Sequence, residues 1–221
     1  MVIEAKNEAK KINEAIDQAI GYCDTINATN KYKVKIAVGV AGEEDNGFFV
    51  KVKFLQGTTW KELKSNGYEI SNIPSKREVD LAIHADDGTT SVSVPSSSEF
   101  IDAAIELSKI LRFAKIEAPL RPKVIGAIVL AIYQGEIDIT TGKELESLNN
   151  LVHEAIYESV DLRDETKIRL EEALKLTGGD FSRLSPKIQR IISILKRLNI
   201  RSVLQTDTDF LGLFYEAFLR Y

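Results

Sequence analysis

The hydrophobic period of this chain changes once, at Pro95-Ser96-Ser97-Ser98-Glu99. Before that point, apolar residues alternate with period two in several segments. After it, they recur almost entirely at three- and four-residue spacing. Period two marks a strand with one covered face, and a period near 3.6 marks a helix. A chain that carries both in separate blocks is expected to be α+β, with a small mixed part over 1–95 and an all-helical part over 96–221. Its 221 residues allow one large domain or two modest ones, and 44% hydrophobic residues supply enough apolar material for a core.

In the first block, Val2–Lys6 reads as a short apolar strand. Residues 7–27 place Ala9, Ile12, Ala15, Ile16, Ala19, Ile20 and Cys23 at helical spacing and predict an amphipathic helix. Tyr32–Val40 and Phe48–Leu55 alternate as strands around the polar Gly42–Gly47 turn and predict a β-hairpin. From Gln56 to Lys76 the period fades; Trp60, Leu63 and Tyr68 suggest a short helix and a loop. Short strands are expected over Glu78–His84 and Thr90–Val94, around an Asp86-Asp87-Gly88 turn.

In the second block, Ser97 or Ser98 is a suitable N-cap for a helix carrying Phe100, Ile101, Ala104, Ile105, Leu107 and Leu111. Lys123–Gln134 is apolar enough to be a buried helix. Further helices are expected from Thr141, over Glu165–Leu176 with Thr177–Asp180 as its stop, from Ser185-Pro186, and over Asp209–Tyr221. Gly212 lies inside the last of these. Mid-helix glycine costs about 1 kcal/mol against alanine, which implies another element close against it. The sequence contains neither repeats nor low-complexity tracts.

The chemistry-bearing feature lies in the first strand. Strand side chains alternate, so Glu4 and Lys6 leave the same face. A carboxylate and an ammonium side by side suit metal-assisted phosphodiester hydrolysis. The carboxylate holds a hard cation, and the ammonium steadies charge on the attacked phosphate or its water. Gln18 and Tyr22, four residues apart on the following helix, also share a face. The Glu-x-Lys strand, the Gln-x-x-x-Tyr helix and the hairpin, in this order, resemble the nuclease core of the PD-(D/E)xK superfamily, in the version found at the N-terminus of type I restriction enzymes. The resemblance implies a truncated restriction-endonuclease-like α/β segment over 1–95. In it Glu4 would ligate Mg2+, Lys6 would stabilise phosphate charge, and Gln18 and Tyr22 would orient the centre. The acid that the family carries on the preceding strand has no counterpart here, because the chain starts at Met1.

A second resemblance lies at the other end. Asp209-x-Leu211-Gly212-x-x-Tyr215-Glu216-x-Phe218-Leu219, together with Arg121–Ala127, is similar to the helical region that precedes the catalytic domain of N6-adenine DNA methyltransferases in type I and fused type II restriction systems. It implies that 96–221 is such a helical domain. Its partners would be double-stranded DNA and a target-recognition (specificity) subunit or domain. S-adenosylmethionine would bind only in a domain absent from this chain. The sequence has no Gly-rich turn after a strand and no Asn/Asp-Pro-Pro-Tyr/Phe tetrad, and Gly178-Gly179 lies between helices.

Thirty-three acidic against 29 basic residues give a net charge of -4, which argues against a protein that coats nucleic acid non-specifically. A local basic face is still available: Lys187, Arg190, Arg197 and Arg201, with Lys196, cluster around one helix and are the candidate DNA-contacting residues. The alternative for them is a solvated face. Cys23 is the only cysteine, which fits a reducing cytosol and a buried thiol. The N-terminal stretch is too charged for a signal peptide. Val124–Tyr133, at ten residues, is too short to span a bilayer, so the expectation is a cytoplasmic protein with no membrane partner. Asp80, His84, Asp86 and Asp87 form the only other acidic and histidine cluster, which an Asp-Gly turn explains. His153 reads as packed or solvated. Two functional readings stand: a Mg2+-dependent endonuclease segment joined to a DNA-binding helical region, or a non-catalytic DNA-binding or subunit-docking module. A helical assembly protein without a DNA role is the third.

Overall fold

The computed structural model describes residues 1–90, 95–139, 142–203 and 210–220. They form an α+β chain of two compact units, Met1–Pro95 with Lys196–Asp207, and Ser96–Leu195 with Thr208–Tyr221. No helix among the described residues is long and apolar enough to cross a membrane.

The first unit is built on a four-stranded sheet in the order β1-β2-β3-β4. Strand β1 (Val2–Lys6) runs parallel to β2 (Ile36–Glu43). Helix α1 (Ile12–Ala28) makes the crossover that a parallel pair requires, entered through a 3-10 turn at Ala9–Lys11. Strands β3 (Gly47–Gln56) and β4 (Thr59–Glu62) continue antiparallel. Register decides which side chains share a face. Val2, Glu4 and Lys6 stand opposite Ala37, Gly39 and Ala41. Ala37 clusters with Ile16, Ala19 and Cys23 of α1, so this is the face that α1 covers. The alternate residues Ile36 and Val38 join Val50, Val52, Phe54, Leu63, Ile70 and Ala82 in a second cluster on the other face. Residues 36–39 are therefore buried on both sides, and period two gives way there to a continuous apolar run.

Three sequence expectations in this unit are corrected. The Gln56–Lys76 region is not a short helix and loop: it holds β4, then the small pair β5 (Lys64–Ser65) and β6 (Tyr68–Glu69). Gly57, at φ 62, makes the reversal from β3 to β4. Glu78–His84 is not a strand but the body of helix α2 (Lys76–Ala85). Ser75 caps it reciprocally with Glu78, and this capping box decides the local conformation. Asp86, at φ 53, ends the helix, so the Asp-Asp-Gly stretch is a helix stop and not a hairpin turn. Ser91–Val94 lies outside the described residues.

Among its described residues the second unit holds helices joined by turns and loops, and no strand. Helix α3 (Ser97–Phe113) starts from Ser96, one residue before the expected cap, with Glu99 closing a capping box. Helices α4 (Arg121–Gln134), α5 (Glu144–Tyr157) and α6 (Asp164–Leu174) pack together. Seven of the fourteen residues of α4 are buried, as its apolar composition requires. Thr177 does not terminate a helix in partnership with the glycines; it caps α7 (Gly178–Leu184) through Asp180. Helix α8 (Ile188–Arg197) follows a 3-10 turn at Ser185–Lys187. The chain then contributes α9 (Ile200–Val203) to the first unit, where Asn199 accepts from the Ser71 amide at 3.0 Å and donates to Asn72 at 3.1 Å. The last helix, α10 (Phe210–Arg220), packs on α3. Gly212 is exposed on it. A close helix contact lies at Gly126 of α4, where a Cβ would meet the Tyr215 hydroxyl at 3.4 Å. Thr141, Asp209 and Tyr221, read as helical ends, lie outside the described residues.

Candidate active site

The candidate centre is assembled by β1 and α1. Gly39 of β2, directly opposite Glu4, has no side chain, and α1 uses the space. A Cβ there would lie 2.5 Å from the Ile16 amide nitrogen and 2.8 Å from its Cα. This close approach brings the Glu14–Gln18 stripe of α1 down to the carboxyl end of β1.

Lys6 is the hub. Its Nζ donates to Gln18 Oε1 at 2.6 Å and lies 3.3 Å from Glu4 Oε1 and 3.4 Å from Glu14 Oε1. Gln18 Nε2 donates in turn to Glu14 Oε1 at 3.2 Å. An ammonium has three donors, and three oxygens face it. Glu4 and Lys6 side chains are each about one-fifth exposed (23% and 21%), so the cluster is sheltered but open on one side. Partial burial opposes the charged form of Lys6, and its hydrogen bonds to the two carboxylates outweigh it, so its pKa is raised above 10.5. Lys6 is therefore an ammonium at neutral pH, suited to steadying negative charge and unable to act as a general base. Glu8, just beyond the strand, is held by Lys10 at 2.8 Å and by Lys11, and these hydrogen bonds lower its carboxyl to about 2. It is committed to those cations and does not belong to the centre.

Of the residues singled out in the sequence, Glu4, Lys6 and Gln18 come together. Tyr22 does not join them: it is one turn farther along α1, half exposed, and no hydrogen bond links it to the cluster. Glu14 was missed. Its signal was available, because it sits four residues before Gln18 on the stripe that relates Gln18 to Tyr22. Cys23 is fully buried, and burial pushes its thiol up, so it is a core residue.

The donor set bears on the implied Mg2+. Among the described residues, no group of three or more His, Cys, Asp and Glu side chains is arranged to hold a metal ion. Mg2+ does not need three: it keeps several waters and takes one or two carboxylates along with substrate phosphate. Glu4 and Glu14 aim one oxygen each at a single cation, the Lys6 ammonium, so their chemistry fits.

The other candidates separate. Asp86 pairs with Lys35, and Asp87 accepts from the Thr89 hydroxyl and from the Thr89 amide at 2.8 Å, which lower its pKa. Asp80 and His84 are exposed on α2. In the second unit His153 Nδ1 lies 3.0 Å from Glu171 and its ring stacks on Tyr157. The basic residues expected to form one stripe divide between the units. Lys187 and Arg190 belong to the second, where Arg190 donates through Nη2 to Glu106 at 2.8 Å. Arg197 and Arg201 belong to the first, where Arg197 lies over the Phe48 ring at 5.2 Å. Searches of protein-family models, curated proteins and solved structures found no match to this chain.

Proposed function

We propose that the first unit is a nuclease-derived centre for metal-assisted hydrolysis of DNA phosphodiesters, and that the chain is part of a restriction-modification protein. The observation that carries this reading is the convergence of two carboxylates and an amide oxygen on Lys6 at the end of a strand. Glu4 and Glu14 would hold Mg2+, which when bound would supply Lewis-acid activation of phosphate and water. Lys6 holds a full positive charge where the attacked phosphate gains negative charge. Gln18 fixes the Lys6 ammonium and, through its amide, the Glu14 carboxylate. The helical second unit would hold DNA, with Lys187 and Arg190 among its phosphate contacts, and dock on a specificity subunit.

The competing reading is a DNA-binding or docking module in which the cluster is only a scaffold. It is favoured by the completeness of the Lys6 hydrogen bonding, which needs no substrate. Cleavage of supercoiled duplex DNA by the full chain, with Mg2+ and with EDTA, separates the two. The nuclease reading expects Mg2+-dependent nicking that Lys6→Ala reduces about a hundredfold or more. DNA binding without nicking, and identical behaviour of Lys6→Ala, would overturn it.

A further inference from the structure

In the second unit, α3 and the start of α8 border a groove of about 460 Å³ lined by Glu106, Lys109, Ile110, Phe113, Lys187 and Arg190. Its chemistry is unusual for a helical surface. Phe113, the last residue of α3, is 85% exposed. An exposed ring of this size is kept out of the core at a hydrophobic cost of some kind, and it adjoins three cations. Lys109 and Lys187 are exposed. Arg190 is held along the groove by Glu106, which accepts from both Nε (3.1 Å) and Nη2 (2.8 Å). Glu106 is the single acid against three bases, so the groove favours an anion. Buried Ile110 forms an apolar floor.

We infer that this groove binds single-stranded DNA, with a base stacked on Phe113 and the flanking phosphates on Lys109, Lys187 and Arg190. An aromatic face beside a line of cations is the arrangement that single-strand binding uses, because every base offers a π-face and every nucleotide a charge. A paired base hides both its faces in the duplex stack, so Phe113 discriminates against double-stranded DNA. The volume accommodates about a nucleotide and not a helix. The inference rests on the reading of this chain as one that acts on DNA, and it adds the strand state of the bound segment.

The test is fluorescence polarisation of the full chain with a labelled oligothymidylate of about twelve nucleotides, against a duplex of the same length, in EDTA. The single strand is expected to bind more tightly. Phe113→Ala is expected to weaken it about tenfold without changing the salt dependence, and Phe113→Trp to restore it. Lys187→Glu is expected to weaken it and to flatten the salt dependence. Phe113 is exposed, so its replacement does not endanger the fold. EDTA withholds the divalent cation, which keeps this result independent of any failure to cleave. Three results would overturn the proposal: unchanged affinity in Phe113→Ala, equal Phe113 dependence for the duplex, or Phe113-dependent binding of an acidic peptide or of anionic vesicles in place of the oligonucleotide.

Discussion

Lys6 carries two opposing influences. Shelter beneath α1 costs the ammonium hydration, and Glu4 and Glu14 return more than that cost as hydrogen bonds and Coulomb attraction. The net direction is upward, and the sign of its effect on stability follows. A raised lysine pKa stabilises the fold fully below the unfolded value near 10.5 and loses that contribution as pH rises through the folded value. The Lys6 ammonium, followed by NMR of its Cε and Nζ, is therefore expected to titrate above 10.5, and Glu14→Gln to move it downward. Titration at or below 10.5 in the wild type would contradict it. The contribution to global stability is small, because ion pairs open to solvent are weak. Variants at Lys6 are thus readable for function without a confounding loss of fold.

At the level of elements, Gly39 governs whether the centre exists. Its place opposite Glu4 allows α1 to lie directly on β2, with Ile16 backbone atoms where a side chain would be. Backbone cannot rotate aside, so Gly39→Ala is expected to destabilise the protein by about 1–3 kcal/mol, measured by urea unfolding, and to lengthen the Lys6–Gln18 contact. A neutral Gly39→Ala would show that the approach is not needed. These element contacts also explain what the sequence could tell. Strand β1, helix α1 and the hairpin were legible, because the alternation in 48–55 and the Ala/Ile stripe of α1 are strong periodic signals. Helix α2 was misread as a strand: Val79-Asp80-Leu81-Ala82-Ile83 alternates, and only the Ser75–Glu78 capping box reveals the helix. The β4–β6 region was illegible because its strands are two to four residues long, too short for a period to register. Glu14 was overlooked for a different reason. On a helix surface a glutamate is ordinary, and only the descent of α1 toward β1 gives it a partner.

Across the whole molecule, the sequence located the change of period at Pro95–Glu99, which is where the first unit's initial segment ends. The return of Lys196–Asp207 to that unit is a tertiary event carried by Asn199 and by Lys196 over the Phe49 ring, and no periodicity announces it. The candidate functions also distribute by unit: a carboxylate–ammonium centre in the first, and an aromatic, basic groove in the second. The centre makes a demand at the scale of the chain. Because Glu4 and Glu14 converge on one cation and no larger His, Cys, Asp and Glu group exists among the described residues, divalent binding to the full chain should report this cluster. The most direct measurement is a Mg2+ titration of the full chain by calorimetry, with the Lys6 and Gln18 side-chain resonances followed in parallel. The expected result is saturable binding that shifts both resonances and lowers the Lys6 pKa, and that disappears in the Glu4→Gln/Glu14→Gln double variant. Absence of binding, or binding that the double variant retains with Lys6 and Gln18 undisturbed, would contradict it.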